Sequence, residues 1–270
     1  MQAVDRGRPV AVPLRGDLLV AAALQFDVET VHETGSTNSD LLQRARQARP
    51  QRALLRAALH QTAGRGRHGR RWFASAGGAL LFSLAVPMQA ANALIAAATL
   101  ACGIGVAEAL RAAGVPVALK WPNDLLLAGR KLGGVLCELA VDDQGRRTLI
   151  VGIGINRHLD AATRDSIAQP AAALDQVPAA VAQREALIGR IATAVLEALR
   201  RFDESGFVTL QPRFMALFAQ RDMEVDLFEM GVRVASGRAL GVDGQGRLLL
   251  ETEQGLRVCS SGELSMRVAG

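Results

Sequence analysis

From Trp72 to Ala107 the chain carries no charged side chain. A run that long has to be buried, either in a protein core or in a bilayer. Pro87, Gln89 and Asn92 interrupt it, and beyond them it continues mainly in Ala. This pattern predicts a buried strand, Leu80–Val86, then a buried helix, Asn92–Ala113, stopped by Gly114. A strand and a helix hidden this thoroughly call for helices layered on a sheet. The 270 residues, 50% of them hydrophobic, suffice for one large core and a small appended unit. Tyr is absent, so that core must be built mostly from Ala, Leu, Val and Ile.

Other elements fall around this buried pair. Ser36-Thr37-Asn38-Ser39 is a helix N-cap, with Leu41, Leu42 and Ala45 as the apolar stripe and Pro50 beyond the end. Ala53–His60 reads as a strand. Val115–Trp121 is another, ending at the turn Pro122-Asn123-Asp124. Ala128-Gly129-Arg130 joins Leu125–Leu127 to Lys131–Val141 as a hairpin, and Thr148–Ile155 follows the turn at 142–145. Arg157–Pro170 reads as a flexible loop, and Ala186–Phe202 and Thr209–Ala219 as helices. From Glu224 the chain changes to short strands with Gly turns, which predicts a small all-β unit. Residues 1–30 are Arg, Pro and Ala rich, an extension with one short helical run at Leu18–Leu24. The expected fold class is α/β (α+β).

The net charge of +5 suits acidic small molecules or an acidic partner, and the Arg residues are spread along the chain rather than grouped for nucleic acid. Cys102, Cys137 and Cys259 make an odd, sparse set without a C-x-x-C pair, which argues for a reducing compartment and against zinc. Cys102 reads as a buried structural thiol. No membrane span is expected, and the four histidines have no metal-ligand spacing.

The densest chemical signal is Gly64-Arg65-Gly66-Arg67-His68-Gly69-Arg70-Arg71. Glycines let backbone N–H groups approach a ligand, and arginine forks match carboxylate and phosphate. The loop formally contains G-x-G-x-x-G. A dinucleotide fold would also need a helix next and an acid about 20 residues on; here Trp72 and Phe73 follow, and the next acid is Glu108. Neither G-x-x-x-x-G-K-[ST] nor G-x-S-x-G occurs. Lys120-Trp121-Pro122-Asn123-Asp124 sets a cation, an amide and a carboxylate around a rigid turn, although alone it reads as an ordinary turn. Gly133 and Gly134 after Lys131 allow close backbone approach, as a plain hairpin also would. Gly152 and Gly154 in Gly152-Ile153-Gly154-Ile155-Asn156 mark a place where something packs on a strand, a ligand or another strand.

In this order, from about Val31 to the end, these segments resemble the biotin protein ligase family. Ser261-Gly262-Glu263 is similar to part of that family's small SH3-like domain. The resemblance implies a class II synthetase-like catalytic domain over residues 31–220, with a mixed β-sheet, and a C-terminal SH3-like β-barrel over 221–270. It also implies that biotin and Mg-ATP give biotinyl-adenylate, and that biotin passes to a lysine of the biotin carboxyl carrier protein of acetyl-CoA carboxylase.

Carried onto matching positions, the resemblance puts Ser36, Thr37 and Gln61 on the ureido head, with Asn38 lining that end. Gly64 belongs to the same biotin-binding loop. Arg65, Gly66 and Arg67 would close over the carboxylate and α-phosphate, and Lys131 would bridge them. Gly134, Gly152 and Gly154 would wall the biotin tail. Arg67, Arg70, Trp72, Lys120, Asn123 and Asn156 would face ATP. Asp124 is open between holding Mg²⁺ and deprotonating the incoming lysine; no resident metal ligands are expected. The loop is expected to order with ligand. Too few residues precede the first motif for a winged helix, so a cytoplasmic ligase without repressor activity or nucleic-acid binding is expected. It would be a monomer, or a homodimer paired through an edge near Gly152–Asn156. Lipoate or octanoate ligation and a nucleic-acid-binding regulator are the rival readings.

Overall fold

The computed structural model describes residues 14–15, 25–88, 95–165, 167, 170–177, 184–261 and 264–268. The helical run expected at Leu18–Leu24, the breaks at Gln89 and Asn92, and Gly262 and Glu263 lie outside the described residues.

A seven-stranded mixed sheet forms the larger part. Its strands are β1 (Phe26–Thr34), β2 (Ala53–Gln61), β3 (Ala79–Pro87), β4 (Val117–Lys120), β5 (Asp124–Leu127), β6 (Arg130–Val141) and β7 (Arg147–Asn156). They run in the order β1-β2-β3-β7-β6-β5-β4. β1 and β2 are parallel, joined through helix α1 (Thr37–Gln47), and the other neighbours are antiparallel. β1 starts inside the stretch read as an extension. It is an edge strand, and of its residues only Phe26 is buried, so it lacks the apolar signature of a core strand. β7 is not the edge expected near Gly152–Asn156: it lies between β3 and β6.

The two faces of this sheet are covered differently. On one, α1 packs Leu41 and Ala45 against Ala85, Ala140 and Ile150. The other is buried under α2 (Ile95–Ala112) and α4 (Arg184–Ser205). By length and composition α2 could cross a membrane, but here it is buried among the core residues, against α4. Gly105 permits this packing, since a Cβ there would stand 2.7 Å from the Ala194 carbonyl oxygen. α2 ends as expected at Gly114, whose φ is +81°, with the Val115 N–H donating back to the Leu110 carbonyl. Cys102 on α2 is fully buried, its Sγ 4.0 Å from that of Cys137. Burial and that second thiol push its pKa well up, as befits a structural thiol.

Ala128 and Gly129, with φ of +48° and +74°, form the two-residue turn of the β5–β6 hairpin. The expected loop 157–170 contains a short helix, α3 (Ala161–Asp165), started by Asp160, whose Oδ1 accepts from the Thr163 N–H at 2.7 Å. The helix expected at Thr209–Ala219 is shorter, α5 (Gln211–Leu217), preceded by a 3-10 turn at Phe207–Thr209.

A five-stranded antiparallel sheet follows, made of β8 (Glu224–Glu229), β9 (Val232–Val242), β10 (Leu248–Thr252), β11 (Gly255–Cys259) and β12 (Leu264–Val268). Its order is β11-β10-β9-β8-β12. Its Val225, Leu227, Ala239, Leu248 and Leu250 join the same core cluster as α2 and the large sheet. The fully buried Trp121 donates its indole N–H across to the Gly246 carbonyl at 3.2 Å.

Candidate active site

Antiparallel partners share a face. Leu81 and Ser83 of β3, Gly152 and Gly154 of β7, and Gly134, Leu136 and Glu138 of β6 therefore lie on the α1 side of the sheet. α1 covers the part of this face at Ala85 and Ile150. The part at Gly152, Gly154 and Gly134 is framed by the N-terminus of α1 on one side and the glycine–arginine loop on the other.

The α1 end is a net of hydrogen-bonding groups, neutral at Ser36, Thr37, Gln61 and Ser83, with the Glu138 carboxylate at its margin. Ser36 is the N-cap, with extended backbone, and its Oγ accepts from the Ser39 N–H at 3.4 Å. The Thr37 N–H and hydroxyl both reach the Gln61 amide oxygen, at 2.7 and 3.0 Å, and that hydroxyl is 2.8 Å from the Ser83 Oγ. Ser36, Thr37, Asn38 and Ser83 are all buried. Asn38 donates its amide N–H to Glu138 at 2.6 Å, while its Oδ1 is buried without a partner. Asn38 lies directly over Gly152, where a Cβ would come within 2.5 Å of that oxygen.

The glycine–arginine loop is a hydrogen-bonded hairpin. The Gly66 N–H donates to the Arg70 carbonyl at 2.7 Å and the Trp72 N–H to the Gly64 carbonyl at 2.9 Å. His68 and Gly69, with φ of +56° and +69°, make its tip. Gly64 is required at the base, since a Cβ there would stand 2.9 Å from the Trp72 carbonyl oxygen and 3.2 Å from the Gln61 amide nitrogen. Trp72 lies on Gly154, where a Cβ would be 2.8 Å from the indole, and its N–H is buried without a partner. The two strand glycines thus make room for Asn38 and Trp72, not for another strand.

The opposite end is cationic. The Lys131 Nζ lies 2.5 Å from Asp124 Oδ1, and the Lys120 Nζ 3.8 Å from Oδ2. Gly134 pairs with Asp124 across the β5–β6 ladder. Asn123 holds this corner by donating to the Val135 carbonyl at 2.9 Å. Burial pushes the Lys120 pKa down; Asp124 opposes this, while Lys131, Arg267 and Arg70 add to it. The Arg267 guanidinium sits 4.6 Å from the Phe228 ring centroid. One carboxylate between two ammonium groups is not a resident metal site, and among the described residues no group of three or more His, Cys, Asp or Glu is placed to hold one.

Three expected positions differ. Arg65 and Arg67, expected over the carboxylate and α-phosphate, are held elsewhere. Arg65 donates to both oxygens of Glu138, at 3.1 and 2.8 Å, beside Asn38 at the neutral end. Arg67 donates to the Ser261 carbonyl at 2.6 Å and the Leu264 carbonyl at 3.4 Å in the second sheet. Asn156, expected toward ATP, is buried and spends its amide N–H groups on the Ala172 and Lys131 carbonyls, at 3.0 and 3.4 Å. It fixes the segment that pairs with Lys131 at Ala171. Sequence reading missed Ser83, Glu138 and Arg267. Alternation along β6 from Gly134 could have placed Glu138 on the site face, whereas Arg267 depends on how the second sheet is mounted.

The model of the biotin/lipoate A/B protein ligase family matches residues 31–156, and that of the biotin protein ligase C-terminal domain matches residues 228–267. The chain is 34% identical over 235 residues to the bifunctional ligase/repressor BirA of Salmonella typhimurium, covering 87% of this chain and 72% of that one. It is 31% identical over 260 residues to the biotin–[acetyl-CoA-carboxylase] ligase of Mycobacterium tuberculosis, covering 93% of each. The structure of the Aquifex aeolicus biotin protein ligase in complex with biotin and ATP superposes with a TM-score of 0.76. Its sequence identity is 30%, over 90% of this chain and 99% of that one.

Proposed function

The chain belongs to the biotin/lipoate A/B protein ligase family, and from that premise we propose that it activates biotin with ATP and transfers it to a lysine of a carboxylase carrier domain. The observation that carries this reading is the polarity along one side of the sheet: neutral hydrogen-bonding groups at Thr37, Gln61 and Ser83 at one end, and Lys131 and Lys120 on Asp124 at the other. Biotin has the same polarity, with a neutral ureido head and an anionic tail. Lipoate and octanoate have apolar heads, and burying the Thr37 and Ser83 hydroxyls against them would leave polar groups poorly matched.

Two anions must meet in the first step. A biotin carboxylate oxygen attacks the α-phosphorus of ATP, and the bond to pyrophosphate breaks. Fixed positive charge at the cationic end offsets their repulsion and favours the charge that develops on the α-phosphate. Lys131 is the group we assign there, held by Asp124. Lys120, Arg70 and Arg267 face the leaving pyrophosphate. In the second step the carrier lysine, as a neutral amine, attacks the acyl carbonyl, the bond to the AMP oxygen breaks, AMP leaves, and the amine's proton passes to water. Asp124 already engages two lysines, so the role that fits it is to orient them. The hairpin keeps water from the mixed anhydride. The free thiols suit a cytoplasmic setting.

Labelled biotin should enter a carrier domain only when ATP is present, and excess lipoate should not compete. Equal incorporation of lipoate would shift the assignment to the sister activity. Binding of DNA or RNA that falls steeply with salt would favour the regulator instead.

A further inference from the structure

We propose that Glu138 is a positioning residue that clamps the glycine–arginine hairpin over the neutral end of the cleft. Its carboxylate gathers three separate parts of the chain. It sits on β6, accepts from Arg65 of the hairpin at 3.1 and 2.8 Å, and accepts from Asn38 of α1 at 2.6 Å. Asn38 is buried, with its amide over Gly152. Glu138 therefore has one buried partner on a helix and one carried by a loop, which is the arrangement of a clamp.

The pull on Arg65 reaches the rest of the hairpin. Arg65 bridges Arg71 across it, and the adjoining Trp72 N–H is bonded to Gly64. Holding Arg65 thus holds Trp72 on Gly154. Glu138 lies beyond Gly152, toward Ile150, whereas Lys131 lies beyond Gly134 in the opposite direction along β6, with Asp124 beside Gly134 on β5. A biotin carboxylate bound at Lys131 would not compete with Glu138 for Arg65, so the clamp persists through adenylation. An ordinary exposed ion pair contributes little. Here Glu138 is the partly buried partner, one Arg65 nitrogen meets both of its oxygens, and a buried amide backs it.

The inference rests on the biotin-activating reading, and the test separates the two. The protein has two tryptophans, and Trp121 is fully buried, so acrylamide quenching of fluorescence reports on Trp72. In Glu138→Gln, Trp72 becomes more quenchable without added ligand, and bound adenylate dissociates about 5- to 20-fold faster. The KM for ATP stays within about twofold, because the cationic end keeps its charges. A purely structural role would instead lower the unfolding temperature and leave quenching in the folded state unchanged. Should Glu138→Gln not fold, Arg65→Ala, which removes the donor to Glu138, is read the same way. Quenching and adenylate retention equal to wild type in the folded variant would overturn the clamp. If wild type forms no adenylate, the functional reading fails, while quenching still judges the clamp.

Discussion

Lys131 and Lys120 share one carboxylate but not one environment. Lys131 is the closer to Asp124, and replacing it by Met should slow adenylate formation by about 100-fold or more, read as pyrophosphate release. Lys120 is sensitive to pH, because burial lowers its pKa and Asp124 only partly offsets this against the neighbouring cations. Its charge is fully present only below that depressed value. The KM for ATP should therefore begin to rise at a pH below the usual lysine range, and Lys120→Arg should move this alkaline arm upward. The stability effect has the opposite sign. Keeping Lys120 charged opposes folding at neutral pH, and that cost fades as pH climbs from the depressed pKa to the unfolded one. Gly152→Ala should weaken biotin binding about tenfold, by displacing Asn38 from Glu138, as a titration with biotin would show. At this scale the glycines and the Ser36–Asn38 cap were legible, since cap chemistry and strand glycines leave local signals. The partners of Arg65 and Arg67 were not, because nothing local to the loop encodes Glu138 or the Ser261 carbonyl.

Among the elements, the α2–α4 contact is the most exacting. A side chain at Gly105 meets the Ala194 backbone, so Gly105→Leu must push the helices apart, at a cost of about 1–3 kcal/mol that a lowered Tm would register. The strand and helix inside the uncharged run were readable because burial on both sides leaves a continuous apolar signature. β1 was not, because its outward Asp27, Glu29 and Glu33 make an edge strand look like a loop. α3 escaped notice because five residues give too short a periodicity to detect; only the Asp160 cap betrays it.

The molecule as a whole rests on two sheets joined through one core, and Trp121 makes a buried hydrogen bond between them. Trp121→Phe should leave the buried Gly246 carbonyl unpaired, cost about 1–3 kcal/mol, and speed hydrogen exchange in β10. The switch to an all-β end at Glu224 could be read from short strands and Gly turns, whereas its docking could not, since it depends on contacts such as Arg67 to Ser261 that join residues far apart in sequence. The central claim is that one cleft holds a neutral head and joins an anionic tail to a nucleotide. Mass spectrometry of the desalted protein after incubation with biotin and Mg-ATP tests it directly. Bound biotinyl-adenylate with matching pyrophosphate release is expected, both absent in Lys131→Met; biotin retained without any adenylate, or an unimpaired Lys131→Met, would rule the reading out.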